Sequence, residues 1–233
     1  MRKQNGFTLI EIAIVLVIVG LLLGGVLKGQ ELITAARVRN LATTLDGVKV
    51  AYLGFQDRFR VLPGDYANAQ AAANIPGIGG DATKGCTAAT CQDGKITNTL
   101  ESEPILAWHQ LSRAGFITGS YSDAAGTYIA ALAPSPLNSP ANPFAGYLQL
   151  IHDNVYSGTA VVAFNTKTGG NVPAAILAEL DRKIDDGHPG TGSFRNAQTW
   201  NGATDTCVEG TVLAPTAYNA KDDVKTCGGA QLH

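Results

Sequence analysis

The chain has 233 residues, with 17 lysines and arginines against 19 acids and a formal net charge of −2. Only 15% of its residues are charged, and no basic stripe or basic–aromatic interleaving occurs, so nucleic acid is not indicated as a partner. The length suits one domain with a real core, and no tandem repeat or low-complexity linker divides it.

Two cations, Arg2 and Lys3, stand before Gly6, and an apolar run over residues 7–27 follows, broken by one charge, Glu11. A helix of that length, at about 1.5 Å per residue, is roughly 32 Å long and spans a bilayer core. A carboxylate inside such a span costs roughly 3 kcal/mol and calls for a partner. The natural one is a cation at the start of a neighbouring copy. An ordinary secretory signal has a shorter apolar core and a small-residue cleavage site after it. Leu21-Leu22-Leu23-Gly24-Gly25 imitates such an end, but Glu11 inside the core argues against it. A plain single-span anchor explains everything except Glu11 and the Gly6-Phe7 junction. Arg2 and Lys3 hold the N-terminus in the cytoplasm under the positive-inside tendency, which places the chain beyond Leu27 outside the inner membrane.

The string Gly6-Phe7-Thr8-Leu9-Ile10-Glu11, running into Ile12-Ala13-Ile14-Val15-Leu16-Val17, resembles the class III signal of type IV pilins and of the pseudopilins of type II secretion systems. The resemblance covers roughly the first 60 residues; beyond them it is one of layout. It implies cleavage between Gly6 and Phe7 by a prepilin peptidase/methyltransferase, N-methylation of Phe7, and an assembly role for Glu11. It also implies a division into a cleaved leader (1–6), a transmembrane and assembly half of a long helix (7–27), an amphipathic half (28–60) and a globular pilin-like head (61–233). The expected fold is α+β and pilin-like: a long N-terminal helix laid on an antiparallel sheet, with a disulfide-braced head. The expected partners are other pilin or pseudopilin subunits, the processing enzyme, the inner-membrane assembly platform and the membrane.

After the span, Leu41, Leu45, Val48, Tyr52, Phe55 and Phe59 recur in steps of three and four, so one face of a continuing helix is apolar. One helix from residue 7 to about residue 60 is expected, roughly 80 Å long. Leu62-Pro63-Gly64-Asp65 ends it. Gly20, Gly24, Gly25 and Gly29 weaken its middle, each by about 1 kcal/mol relative to Ala. They serve either close helix packing or local unwinding in an assembly.

Residues 67–100 read as a long Gly-, Ala- and Thr-rich loop carrying Cys86 and Cys91. Ser102 N-caps a helix that has Pro104 in its first turn, Ile105, Leu106, Trp108 and Leu111 on one side, and Gly115 at its end. Three β-like runs at 127–132, 147–152 and 159–165 predict an antiparallel meander. Pro173 opens a helix over 174–184 with Gly187 as its C-cap.

Cys86, Cys91, Cys207 and Cys227 lie on the oxidising side, and an even count there reads as two disulfides. Three pairings are possible; Cys86–Cys91 with Cys207–Cys227 is the local one and the one expected. Zinc is the alternative, without a second short Cys pair or a histidine at ligand spacing. His109, His152, His188 and His233 are isolated, and no catalytic signature occurs, so no enzyme is expected and no cofactor is required. Asp181, Asp185 and Asp186 gather at a helix C-terminus, where acids oppose the helix dipole at about 0.3–1 kcal/mol each. Several pilins and pseudopilins bind calcium in such loops, so the resemblance raises a structural Ca²⁺ on these three acids, though not in an EF-hand pattern.

The function expected is a structural subunit of a type IV pilus or pilus-like filament, with a chain length that leans toward a minor or enlarged pilin. It would sit in the inner membrane as a single-pass protein with an extracytoplasmic head before joining a pilus or periplasmic pseudopilus. A pseudopilin of a type II secretion system is the first alternative. The second is a membrane-anchored binding or adhesion protein using Trp108, Trp200 and exposed loops.

Overall fold

The structure is a computed structural model, and it describes residues 8–76, 78, 92–97, 103–121, 134–159, 161–197, 206–221 and 226–233. Gly6, Phe7, Cys86, Cys91, Ser102, the expected strand at 127–132 and Trp200 lie outside the described residues. The chain divides into two units, one ending at Arg39 and one running from Asn40 to His233.

Helix α1 (Leu9–Phe59) supplies the first unit and opens the second. It passes unbroken through Gly20, Gly24, Gly25 and Gly29, where an added Cβ would meet nothing within 4 Å. In the second unit the expected stripe is buried as far as Phe55: Leu41, Leu45 and Phe55 are wholly inside, Val48 and Tyr52 nearly so, and Phe59 is half-buried. The helix ends where Arg60 takes a positive φ of 60°. Gly64 then turns the chain at φ 94°, and its amide donates to Gln110 Oε1 at 2.7 Å. A side chain at Gly64 would put its Cβ 2.5 Å from the Glu103 carbonyl oxygen, so both the φ and the close approach require glycine.

Within the span read as loop, a short helix α2 (Asn68–Asn74) forms. Helix α3 (Glu103–Arg113) stops as its sequence predicts, with Gly115 at φ 80° after its last turn. Its burial differs from the one-sided expectation, because every residue from Glu103 to Leu111 is inside, including Glu103, His109 and Gln110. Trp108 is fully buried, so it is core and not a surface available to a ligand. The buried acids Asp65 and Glu103 grip residues 92–97 from two sides. Asp65 accepts the amides of Gln92 and Gly94, and Glu103 accepts the amide and hydroxyl of Thr97.

The main sheet has four strands: β1 (Gln149–Asp153), β2 (Ala163–Lys167), β3 (Phe194–Asn196) and β6 (Gly229–Leu232), in the order β1-β2-β6-β3 and antiparallel throughout. Strand β1 begins two residues later than expected, since Tyr147 makes only an isolated bridge with Ala141. Strand β2 falls at Ala163–Lys167, not 159–165. The reason is that Tyr156 bridges Ala197, Ser157 donates to Asn196, and Gly158 donates to Val212, so this stretch is tied elsewhere before pairing begins. Helix α4 (Ala174–Ile184) has the expected bounds, but its C-cap is Asp185, with Gly187 in a left-handed turn beyond it. A separate hairpin pairs β4 (Val208–Thr211) with β5 (Ala214–Tyr218).

Register places Leu150, His152, Phe164 and Thr166 on one sheet face, and α1 lies there with the Tyr52 ring stacked on Phe164 at 3.9 Å between centroids. The opposite face is also covered. Lys167 is buried in an ion pair with Asp153, which also accepts from Asn165 Nδ2 at 2.9 Å, and Tyr156, Ala197 and Ala230 form a small apolar cluster. Burying a charge demands such a partner. Tyr52→Ala should therefore cost about 3 kcal/mol or more in denaturant unfolding of the detergent-solubilised chain. Val50→Ala on the exposed side of the same helix should change it by less than about 0.5 kcal/mol.

Candidate functional site

Two regions hold the residues singled out in the sequence: the start of α1 and the loop after α4. Every large apolar side chain from Leu9 to Leu27 is exposed, from 44% at Val19 to 93% at Leu9. This half of α1 is apolar on all sides and is the one described helix long and apolar enough to cross a membrane. It fits a membrane anchor, because a helix with no polar face has no stable contact with water.

Glu11 sits in the first turn, where its Oε2 accepts the Thr8 amide at 2.8 Å and the Thr8 hydroxyl at 2.7 Å. Thr8 Oγ1 in turn faces the Glu11 amide at 3.4 Å. This is a capping box, with the N-cap hydroxyl and the third-position carboxylate exchanging hydrogen bonds across the first turn. The signal Thr8-x-x-Glu11 before an apolar run was readable in the sequence and missed there. Both Thr8 bonds satisfy the carboxylate as an acceptor, and neither brings a positive charge. The helix dipole is favourable to an anion at this end.

In the second unit, Asp181, Asp185 and Asp186 do come together, with carboxylate oxygens within 4.8 Å of one another. Each is already engaged. Asp181 accepts the Gly187 amide at 3.1 Å and the buried Tyr218 hydroxyl at 2.8 Å. Asp185 accepts the amides of Ser193 and Phe194, and Asp186 those of His188 and the Thr191 hydroxyl. The acids thus fold the loop between α4 and β3 around themselves, and N–H and O–H donors offset part of the dipole penalty. Asp181 is fully buried, and its bond to Tyr218 fastens the β4–β5 hairpin to α4. The tail disulfide is as expected: Cys207 and Cys227 are bonded, with Cα atoms 5.8 Å apart.

Burial pushes the Asp181 carboxyl up from its ordinary 3.8 to about 6, partly opposed by the Tyr218 and Gly187 donors and reinforced by Asp186 and Asp185. Burial likewise pushes Glu103 up from 4.5 to about 7, against the Thr97 donors and with help from Asp65 and Asp93. In both cases the native state holds a proton that the unfolded chain releases, so stability falls as pH rises through the window. Between about pH 4 and pH 7, His233, which desolvation holds down to about 4, adds a rise in stability with pH, and the two carboxyls add a downward slope. Asp181→Asn should flatten the lower part of that slope and Glu103→Gln the upper part, as read by thermal unfolding at a series of pH values. Variants whose melting temperature keeps the pH dependence of the unaltered chain would refute the assignment.

No curated protein and no solved structure matches the chain. Residues 1–27 match the family model described as the prokaryotic N-terminal methylation motif. Those residues are the ones that carry the basic leader, the Gly6-Phe7 junction, Glu11 and the start of the exposed apolar helix. The motif is the type IV pilin and pseudopilin signal, and together with the apolar helix behind it and the α+β head it marks this chain as pilin-like.

Proposed function

We propose that the protein is a structural subunit of a type IV pilus or pilus-like filament, a minor or enlarged pilin that polymerises through its N-terminal helix after leader cleavage. The observation that carries this reading is the wholly exposed apolar first half of α1 with a single carboxylate, Glu11, one turn in. Before assembly the lipid bilayer covers that half, with Arg2 and Lys3 on the cytoplasmic side and the head extracytoplasmic. A prepilin peptidase then cuts between Gly6 and Phe7 and methylates Phe7. The freed amine of Phe7 is a cation placed at the start of each helix. When helices bundle, Glu11 of one subunit neutralises the Phe7 amine of a neighbour. Two paired charges in an apolar core cost far less than one left alone, so the pair selects the register of the bundle. The role is assembly, and no step requires catalysis.

A pseudopilin of a type II secretion system would use the same chemistry, and the place where the processed chain accumulates separates the two. Mass spectrometry of the N-terminus should find methylated Phe7, abundant in sheared surface filaments for a pilin and confined to membranes for a pseudopilin. An intact Met1 in every fraction would mean that the helix is only an anchor, as in a membrane-anchored binding protein.

Substitution at Glu11 separates its two tasks. Gln retains an acceptor for the capping box but carries no charge. Glu11→Gln and Glu11→Val should both insert in the membrane and both fail to enter filaments, as measured by fractionation and immunoblotting. Normal incorporation of Glu11→Gln would show that Glu11 acts through its cap and not through a charge pair.

A further inference from the structure

On the sheet face turned away from α1, three polar side chains meet out of water. Asn165 and Lys167 share that face of β2, and Asp153 at the end of β1 contacts both. The side chains of Lys167 and Asp153 are only 6% and 16% exposed, and Ala230 of the small apolar cluster is the register partner of Lys167. The group is unevenly satisfied. An ammonium carries three N–H donors. Among the described residues, Asp153 Oδ2 is the one acceptor that Lys167 Nζ meets. Asn165 is fully buried, and its Oδ1 has no hydrogen-bond partner among the described residues. The Asp153 carboxylate is held asymmetrically. Its Oδ1 accepts from Asn165 Nδ2 at 2.9 Å and from the Val155 amide at 3.3 Å, while its Oδ2 faces the lysine nitrogen. Two neutral N–H donors on one carboxyl oxygen, with an amine nitrogen against the other, is the arrangement that acyl transfer needs.

We propose that Asp153 and Lys167 condense into an intramolecular isopeptide bond that joins β1 to β2. The ion pair is the reactant. A proton moves from Nζ to Oδ2, which leaves a neutral amine beside a neutral acid. The Nζ lone pair attacks Cγ, the Nζ–Cγ bond forms, and Oδ1 takes the negative charge under its two N–H donors. That charge returns as the Cγ–Oδ2 bond breaks. Oδ2 departs as water, carrying the first proton and a second one from Nζ. One ammonium and one carboxylate thus give one amide and one water, and no cofactor, oxidant or second chain is consumed. Holding the two groups in contact turns a slow bimolecular reaction into an intramolecular one. Burial supplies the drive, because two charges removed from water are exchanged for a neutral amide. The amide has a single N–H to satisfy where the ammonium had three, and the Asn165 Oδ1 left without a donor belongs to the same group of side chains. The bond ties residues 14 positions apart and closes the connection between β1 and β2 covalently.

The test is mass spectrometry of the full chain, purified in detergent, then denatured with its disulfides reduced. Its mass should lie one water below the sequence mass for the N-terminus found in the same spectra. Chymotryptic cleavage after Tyr156 and Phe164 puts Asp153 and Lys167 on separate peptides. These should appear as one joined species, lighter by one water than the two together. Lys167→Arg keeps a cation at the position and should restore the full mass. Two separate peptides at full mass in the unaltered chain would overturn the proposal and leave the contact an ion pair only. A water deficit that persists in Lys167→Arg would place the loss elsewhere and overturn it too. So would a deficit of ammonia with Lys167 joined to Asn165, since Asp153 would then only carry protons between the other two. The deciding peptides come from the unaltered chain, so a variant that fails to fold leaves the answer intact. They are read on single chains, and the outcome is independent of whether the protein builds a filament.

Discussion

A helix that is apolar on every side cannot be satisfied by its own chain. The first half of α1 leaves all its large side chains, from Leu9 to Leu27, outside the packed protein. The hydrophobic effect acts on that surface as strongly as on any core, so something else must cover it, as lipid does for a membrane anchor. The remainder of the protein is arranged around this demand. The second half of α1 turns the same helix into an ordinary amphipathic element, with Leu41, Leu45, Val48, Tyr52 and Phe55 buried and Asp46, Val50 and Asp57 outside.

The acids of this protein are matched with hydrogen-bond donors, at the exposed start of α1 and in the head alike. Glu11 is answered inside its own turn by Thr8, which meets the need for hydrogen bonds and leaves the need for a charge. In the head the acids are answered by backbone amides. Asp65 and Glu103 pin residues 92–97, and Asp181, Asp185 and Asp186 pin the loop that leads to β3. A carboxylate that accepts several N–H groups fixes a loop as firmly as a short strand would, and it does so where the chain is too rich in glycine to form one. The same burial holds Asp181 and Glu103 partly protonated near neutral pH, so these clamps carry a pH dependence as a by-product of their position.

The head is legible in part. The stripe from Leu41 to Phe55, the bounds of α4, the end of α3 at Gly115 and the Cys207–Cys227 bridge follow from local patterns: a three-four spacing, a proline start, a glycine stop and a cysteine pair close in sequence. Strands β3 and β6 were not readable. Phe194-Arg195-Asn196 and Gly229-Ala230-Gln231-Leu232 are short, lack β-branched residues and show no alternation, so nothing local marks them as strands. They become strands because each finds the edge of another. The burial of Glu103, His109 and Gln110 was likewise invisible, since a polar residue on a helix reads as a solvent face until its partners in other segments are known.

What the sequence determined by itself is the anchor and its signal. Residues 1–27 specify cation, junction, carboxylate and apolar length within one short window, and each of those properties acts on its immediate neighbours or on the surrounding medium. What only the tertiary structure decided is the order β1-β2-β6-β3 and the loops clamped by buried acids. Those depend on contacts between distant segments, such as Tyr218 with Asp181, 37 positions apart, and Asp65 with Gly94, 29 apart. Such pairings are chosen by the balance of chain entropy against burial over the whole head, and no local window of the sequence contains that balance.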